Sequence, residues 1–384
     1  MKSNIKKLYL ANFLTGLTFW YAVEKLFMQS IGIGPFLIGV NAVVLLVIIV
    51  VFDVPSGVLA DKWKRKYTLI MALTALSLSS LVLGLSRNFA VYVFGTVLFG
   101  GYIVLTSGTY QAMMYDSLAE IGEEKHYDKH QGRSYGLFLA GVSIGSLAGG
   151  YIAQNIGLRQ TFYYSVVTSV LTVFLLLTTS EPKFHKETSD NKLRAHVKAS
   201  VKVILSQSMV LQLSLLLVVA GMLRSTQNEF SGLYYIQLGM SAVVMGYVNA
   251  GKWIAGAIGQ FVAPLFGKER SIRLVPWFFL SFLIFSLITT VNGVMFFLIA
   301  SFLFSVITNQ TEATVQSKIP SHLRATTLSL TSFITNVVMI PLSLLFGWLT
   351  QHYTVFRGYQ VFATIGIGYL LYWVVRGKQR SREL

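Results

Sequence analysis

Six ionisable residues stand inside stretches otherwise too apolar to hold charge: Glu24, Asp53, Arg224, Glu229, Lys252 and Glu312. A charge at membrane depth is costly, so it faces a cavity or a partner. A carboxylate in such a place can take up and release a proton, and a guanidinium or ammonium can hold an anion. Glu312 shares a helical face with Asn309 at i−3 and Gln316 at i+4, which makes it the leading candidate for proton exchange. Glu24 is its competitor. Glu24 and Arg224 each lie 16 residues into their apolar stretches, at one height along a helix. They can form an ion pair or be solvated separately. Lys25, beside Glu24, is expected to reach outward to water. Trp20, Tyr21, Phe230, Tyr234 and Tyr235 flank these charges and can stack on an amphipathic ligand, or form an interfacial belt. Together Trp20, Glu24, Arg224, Glu229, Tyr234, Lys252, Asn309, Glu312 and Gln316 are the candidate ligand cavity.

A second cluster of chemistry lies in Asp53-Val54-Pro55-Ser56-Gly57-Val58-Leu59-Ala60-Asp61-Lys62-Trp63-Lys64-Arg65-Lys66. Asp61 can cap a facing helix N-terminus, where the dipole favours an anion. Arg65 can pair with Asp116. The plainer alternative is that these cations only set orientation in a membrane. Gly132, Gly141, Gly145, Gly149 and Gly150 form a stripe of small residues that lets two helices approach closely.

The elements that carry these residues follow from composition. The 384 residues are 54% hydrophobic and 12% charged, against roughly 25% charged in soluble domains. So few charges cannot clothe a soluble surface. A membrane helix takes about 20 apolar residues. Twelve such stretches are present, at 8–29, 35–59, 67–86, 89–118, 134–156, 160–180, 208–233, 241–266, 272–291, 294–317, 325–350 and 356–375. Backbone groups in lipid must pair internally, so these stretches are helices. Of 31 Lys and Arg residues, 25 fall on one face of this alternation and three on the other. The basic face is expected to be cytoplasmic, with both termini on it. The net charge of +16 is thereby explained without nucleic acid. There is no cysteine, hence no disulfide and no thiolate metal site.

The polar stretch 181–207 divides the chain into bundles 1–180 and 208–384. Within it Leu193, Val197, Val201 and Leu205 recur every four residues, an amphipathic stripe for the membrane interface. Val40-Asn41-Ala42 recurs 208 residues later as Val248-Asn249-Ala250, and Asp61 and Arg65 recur as Glu269 and Arg273. Such a repeat suits two pseudo-symmetric six-helix bundles.

The loop around Gly57, Leu59, Ala60, Asp61, Arg65 and Lys66 resembles the G-x-L-A-D-R-x-G-R-K signature of the major facilitator superfamily. Asp53-Val54-Pro55-Ser56-Gly57, Ser107-Gly108, Tyr115-Asp116 and Arg324-Ala325-Thr326 are similar to runs in its bacterial drug-efflux-like members. The stripe from Gly132 to Gly150 resembles the glycine pattern of its antiporters, with Ser146 where proline belongs. The resemblance implies an all-α fold of twelve membrane helices around a central cavity. Gly57, Asp61, Arg65, Lys66 and Asp116 become a conformational latch. Gly141, Gly145, Gly149 and Gly150 become packing sites against a helix of the other half. The implied function is secondary transport by alternating access, with proton-coupled efflux of an amphipathic small molecule as the leading form. The chain would work as a monomer in the cell membrane, with protons, lipid and substrate as partners and with no cofactor or metal. The alternative is uptake or facilitated diffusion of a metabolite, whose anionic group Lys252 and Arg224 would bind. A non-transporting scaffold or sensor is the remote third.

Two signals carry no chemistry. Gly246 to Lys252 imitates a phosphate-binding loop, but Trp253 replaces the required Ser or Thr. His126 and His130 stand i, i+4 near acids, yet they read as a solvated loop rather than a metal site.

Overall fold

The structure is a computed structural model describing residues 1–62, 64–182, 193–320 and 323–375; for 54–62, 193–197 and 325 it describes the backbone. The elements are helical throughout. In chain order they are α1 (Lys2–Gly16), α2 (Glu24–Ser30), α3 (Pro35–Lys62), α4 (Arg65–Leu85), α5 (Phe89–Thr106), α6 (Thr109–Ala119), a single 3-10 turn (Glu124–His126), α7 (Tyr127–Asn155), α8 (Leu158–Leu177) and α9 (Leu193–Ser206). They continue with α10 (Ser208–Gln237), α11 (Ala242–Arg273), α12 (Val275–Leu287), α13 (Gly293–Lys318), α14 (Arg324–His352) and α15 (Val355–Val375).

Local chemistry sets the ends. Asn88 caps α5, its Oδ1 accepting from Val91 N at 3.0 Å. Gly108, at φ 72°, separates α5 from α6. Inside the helices, hydroxyls bond back to the preceding turn, as Ser77 to Leu73 O, Ser143 to Leu139 O and Ser165 to Thr161 O. That pairing lets Ser and Thr sit at membrane depth without an orphaned polar atom. Phe94, Phe174, Phe261 and Leu265 are instead exposed on their helices. Water would not tolerate so many bare apolar side chains, whereas lipid does. The chain is a multi-pass membrane protein.

Among the described residues, nine helices are by themselves long and apolar enough to cross a membrane, or ten if α11 and α12 count as one span bent by 81°. Two features separate that figure from twelve. The stretch 8–29 is broken between α1 and α2 at residues 17–23. The bent pair is interrupted within α11 at Gly267, φ 66° and ψ 173°, where the sequence ends one stretch and begins the next.

The chain condenses into two compact units. One holds 1–187 with 239–254, and the other holds 188–238 with 255–384. The first unit centres on Ile5, Leu8, Leu69, Leu73, Leu76 and Met113, contributed by α1, α4 and α6. The second centres on stacked and edge-to-face rings: Phe230 against Phe346, and Tyr234 against Phe285 and Phe297.

The glycine stripe of α7 has a definite partner. A Cβ on Gly141 would meet Phe13 O, one on Gly145 would meet Thr18 O at 3.0 Å, and one on Gly149 would meet Phe19 O. Three of the four glycines therefore seat the end of α1 and the turn after it, in the same sequence half, and not a helix of the other half. Gly150 is the one that meets α11, at Ala242 O, 2.5 Å from an added Cβ. The spacing announces close approach but not which neighbour comes close. Gly149→Ala is expected to lower the thermal midpoint of purified protein, by about 1–3 kcal/mol of overpacking. Gly132→Ala meets nothing within 4 Å and should be neutral or mildly stabilising. Equal midpoints for the two variants would refute the seam.

Candidate functional site

The described part of the signature loop holds three linked contacts. Arg65 Nη1 stands 2.5 Å from Asp116 Oδ2, and Asp116 is buried. The first turn of α4 has N–H groups with no intrahelical acceptor, and its N-cap residue Lys64 offers no side-chain cap. Glu181, just past α8, supplies it: Oε1 accepts from Arg65 N at 2.8 Å and Oε2 from Lys66 N at 2.9 Å. Lys66 Nζ returns the favour at the other helix end, donating to Leu177 O at 2.8 Å and Thr179 O at 2.7 Å. An anion at a helix N-terminus and a cation at a C-terminus both complement the dipole. Lys7 donates to Thr178 O, and Asn4 exchanges hydrogen bonds with Ser180 in both directions. Glu181 is the residue that sequence reasoning missed. Its only signal is an acid standing directly after a span, at the start of a basic stretch. Gly57 and Asp61 lie on the backbone of α3, and their side chains are outside the described residues.

The charges of the apolar stretches divide between the units. In the first, Glu24 Oε1 accepts from the Tyr92 hydroxyl at 2.8 Å, and Oε2 pairs with Lys25 Nζ at 3.1 Å. Lys25 is thus buried against its neighbour rather than reaching outward, because the carboxylate beside it is a nearer partner than water. Lys252 is buried too, its Nζ 5.1 Å from the Trp253 ring centroid. Asp53 is exposed.

In the second unit Arg224 is 9% exposed, donates to Ser301 Oγ at 2.9 Å and lies over the Phe304 ring at 5.6 Å. Glu229 is half-buried. A cavity of about 270 Å³ opens beside Arg224, and Glu312 lines it as well. The α13 wall of this cavity is the stripe Phe304, Thr308 and Glu312. Asn309 and Gln316 stand off that stripe, Asn309 being exposed and Gln316 half-buried. The i−3 and i+4 spacing picked a plausible polar face, but α13 turns the neighbouring face, with Thr308, toward the cavity. α14 contributes Thr331, Ser332, Thr335 and Asn336, none of them singled out by the sequence.

The aromatic candidates are packed elsewhere. Trp20 is 2% exposed, stacks on Phe162 at 5.5 Å and donates to Ser80 Oγ at 3.3 Å. Tyr234 is fully buried among Phe285, Phe297, Phe356 and Tyr359. Both serve their own unit's core, since a ring this large gains more from packing than from standing at a polar wall. A second cavity, of about 160 Å³, lies in the first unit among Asn12, Thr15, Tyr102, Thr106, Tyr110 and Gln131. His130 Nδ1 lies 2.6 Å from the Tyr9 hydroxyl.

Comparison with known proteins agrees with this architecture. The nucleoside transporter NupG superposes with a TM-score of 0.79 at 13% identity, over 98% of this chain and 99% of that one. A D-xylose-proton symporter superposes with a TM-score of 0.71 at 14% identity, over 97% of each chain. At such identities the likeness establishes the fold alone. By sequence, the uncharacterized MFS-type transporter YxaM of Bacillus subtilis is 23% identical over 222 residues, 56% of this chain and 53% of the relative. The multi-drug resistance efflux pump PmrA of Streptococcus pneumoniae is 27% identical over 187 residues, 46% of this chain and 44% of the relative. The chain thus spans about half the length of the curated relatives it matches. The family model of the Major Facilitator Superfamily matches residues 8–343, and with that the chain belongs to this superfamily of membrane transporters.

Proposed function

We propose that the chain is a proton-coupled secondary transporter of a small molecule, working by alternating access, with the cavity of the second unit as part of its transport site. The observation that carries this reading is that Arg224 and Glu312, from α10 and α13, line one cavity, on helices long and apolar enough to cross a membrane. A fixed cation and a carboxylate exposed to the same small space are what reversible ion binding needs. Glu24 is the weaker proton carrier, because Tyr92 and Lys25 already engage both of its oxygens. The protein works as a monomer in the plasma membrane, with the basic face and both termini cytoplasmic. A second reading, export of an amphipathic molecule against protons, draws on the partial similarity to PmrA and on the antiporter-like glycines.

The latch is part of the same proposal. Asp61, Arg65, Lys66 and Asp116 hold one conformation and release it in the other. Glu181 fixes the first turn of α4, which aims Arg65 at Asp116.

Glu312→Gln should abolish pH-gradient-driven accumulation in proteoliposomes while substrate exchange continues. Accumulation that survives Glu312→Gln and is lost in Glu24→Gln moves the coupling to the first span. If a pH gradient drives nothing in wild type, facilitated diffusion replaces the proposal. Asp61→Asn and Arg65→Lys should insert normally but lower flux about tenfold, the shift expected from removing the charge at Asp61 or the guanidinium fork at Arg65. Glu181→Ala should cost about 1 kcal/mol as a lost helix cap, seen as a lower thermal midpoint, and it should lower flux in step with Arg65→Lys. Full flux at normal expression in all three variants refutes the latch.

A further inference from the structure

The walls of the second unit's cavity specify more than a site. Beside Arg224 and Glu312 stand Asn228, Thr308, Thr335 and Asn336, hydrogen-bonding groups that make the lining more polar than apolar, the apolar share coming from Leu217, Gly221 and Phe304. Apolar and aromatic linings are the rule where lipophilic ligands bind. Here the large rings are spent in the unit's core, apart from Phe304, which lies under the Arg224 guanidinium. The volume, about 270 Å³, falls just below the 300–1,000 Å³ range of ligand pockets. This cavity suits a small molecule with several hydroxyl or amide groups.

Charge balance then decides the sign of the ligand. Net charge withdrawn from water is expensive, so the occupied cavity favours neutrality. A guanidinium stays protonated. With Glu312 ionised, the two lining charges sum to zero. A lone proton or a lone cation leaves one positive charge, and a lone anion leaves one negative. A proton on Glu312 together with an anion beside Arg224 restores zero. Among the described residues lining the cavity, these two carry the charge. Of the elements packed on α13, α10 also bears Glu229 and α12 bears no charge; α13 itself ends in Lys318, and α14, which lines the same cavity, bears Arg324 and His352 at its ends. At the far end of α11, Lys268 is bonded to Ser317, near Glu269, Arg270 and Arg273.

We propose that this cavity carries a small polyhydroxylated monocarboxylate together with one proton, the carboxylate facing Arg224 and the proton held on a Glu312 oxygen. The inference rests on this cavity being part of the transport site. The proton is taken from water on the loading side and released with the anion on the other, and no bond of the cargo changes. Proton and cargo therefore move in the same direction, in contrast to the antiport implied by the glycine pattern.

The test uses the purified full-length chain, with D-gluconate, D-glycerate and L-lactate as anions, xylitol as a neutral control and ethidium as a lipophilic cation. At least one of the anions should raise the unfolding midpoint of wild type, more at mildly acidic than at mildly basic pH. Arg224→Gln should weaken that anion about tenfold or more. Glu312→Gln, a mimic of the protonated acid, should keep the shift and lose its pH dependence. In proteoliposomes with an internal pH dye, a gradient of that anion should acidify the side it moves toward. Stabilisation by ethidium that grows with pH, stabilisation by xylitol alone, or no response to any of the anions overturns the proposal. Ethidium flux driven by a pH gradient would do so while leaving proton-coupled transport intact. An anion that binds as described but moves no protons would instead defeat the coupled-transport reading.

Discussion

Water is scarce at membrane depth, so a polar group there is costly unless it finds a partner inside the protein. The backbone meets that demand by being helical. Many hydroxyls meet it by bonding to the preceding turn, as Ser146 does to Val142 O at 2.7 Å. Where a helix breaks, something else must cover the loose ends. The first turn of α4 and the last of α8 solve this for one another: Glu181 takes two N–H groups and Lys66 covers two carbonyls. A constraint of the solvent thus fixes the loop that bears the signature residues.

The same constraint explains why some of the structure was legible in the sequence. Length and apolarity mark helices because lipid demands both, so α3, α4, α8 and α10 fall where the apolar runs lie. Breaks were harder to see. Nothing in Leu17 to Val23 is a strong helix breaker, yet that turn separates α1 from α2 and is seated on the glycines of α7. Tertiary packing, not local preference, decides it. Arg65 and Asp116 could be paired on paper because opposite charges at one membrane face have few alternatives. The orientation of α13 could not, because Thr308, Asn309, Glu312 and Gln316 are all polar and spacing alone does not say which face turns inward.

The internal repeat shows how one residue type meets the constraint twice. Asn41 and Asn249 occupy equivalent positions, and both are 3% exposed. Asn41 accepts from Thr96 at 2.7 Å, tying α3 to α5. Asn249 donates to Ser146 Oγ at 2.8 Å, tying α11 to α7. A buried amide left unpaired costs about 1–3 kcal/mol, so each position needs a hydroxyl opposite. Ser146 stands where the family pattern has proline, and a proline there could not supply that hydroxyl. Its departure from the pattern is accounted for by the amide it satisfies, a few residues from the Gly150 contact with the same helix.

The charged residues of the apolar stretches differ in how these demands are met. Glu24 and Lys25 are adjacent and consume one another, with Tyr92 on the remaining oxygen. Such a group is held at its own helix junction. Glu312 differs in kind, since it is exposed to a cavity whose other charge comes from a different helix. Neutralising it changes the charge of the space rather than the integrity of a helix end. Two carboxylates of equal standing in the sequence thereby differ in surroundings, Glu24 engaged by Tyr92 and Lys25 and Glu312 facing a cavity, and what separates them is the distance to the nearest cation built into the same turn.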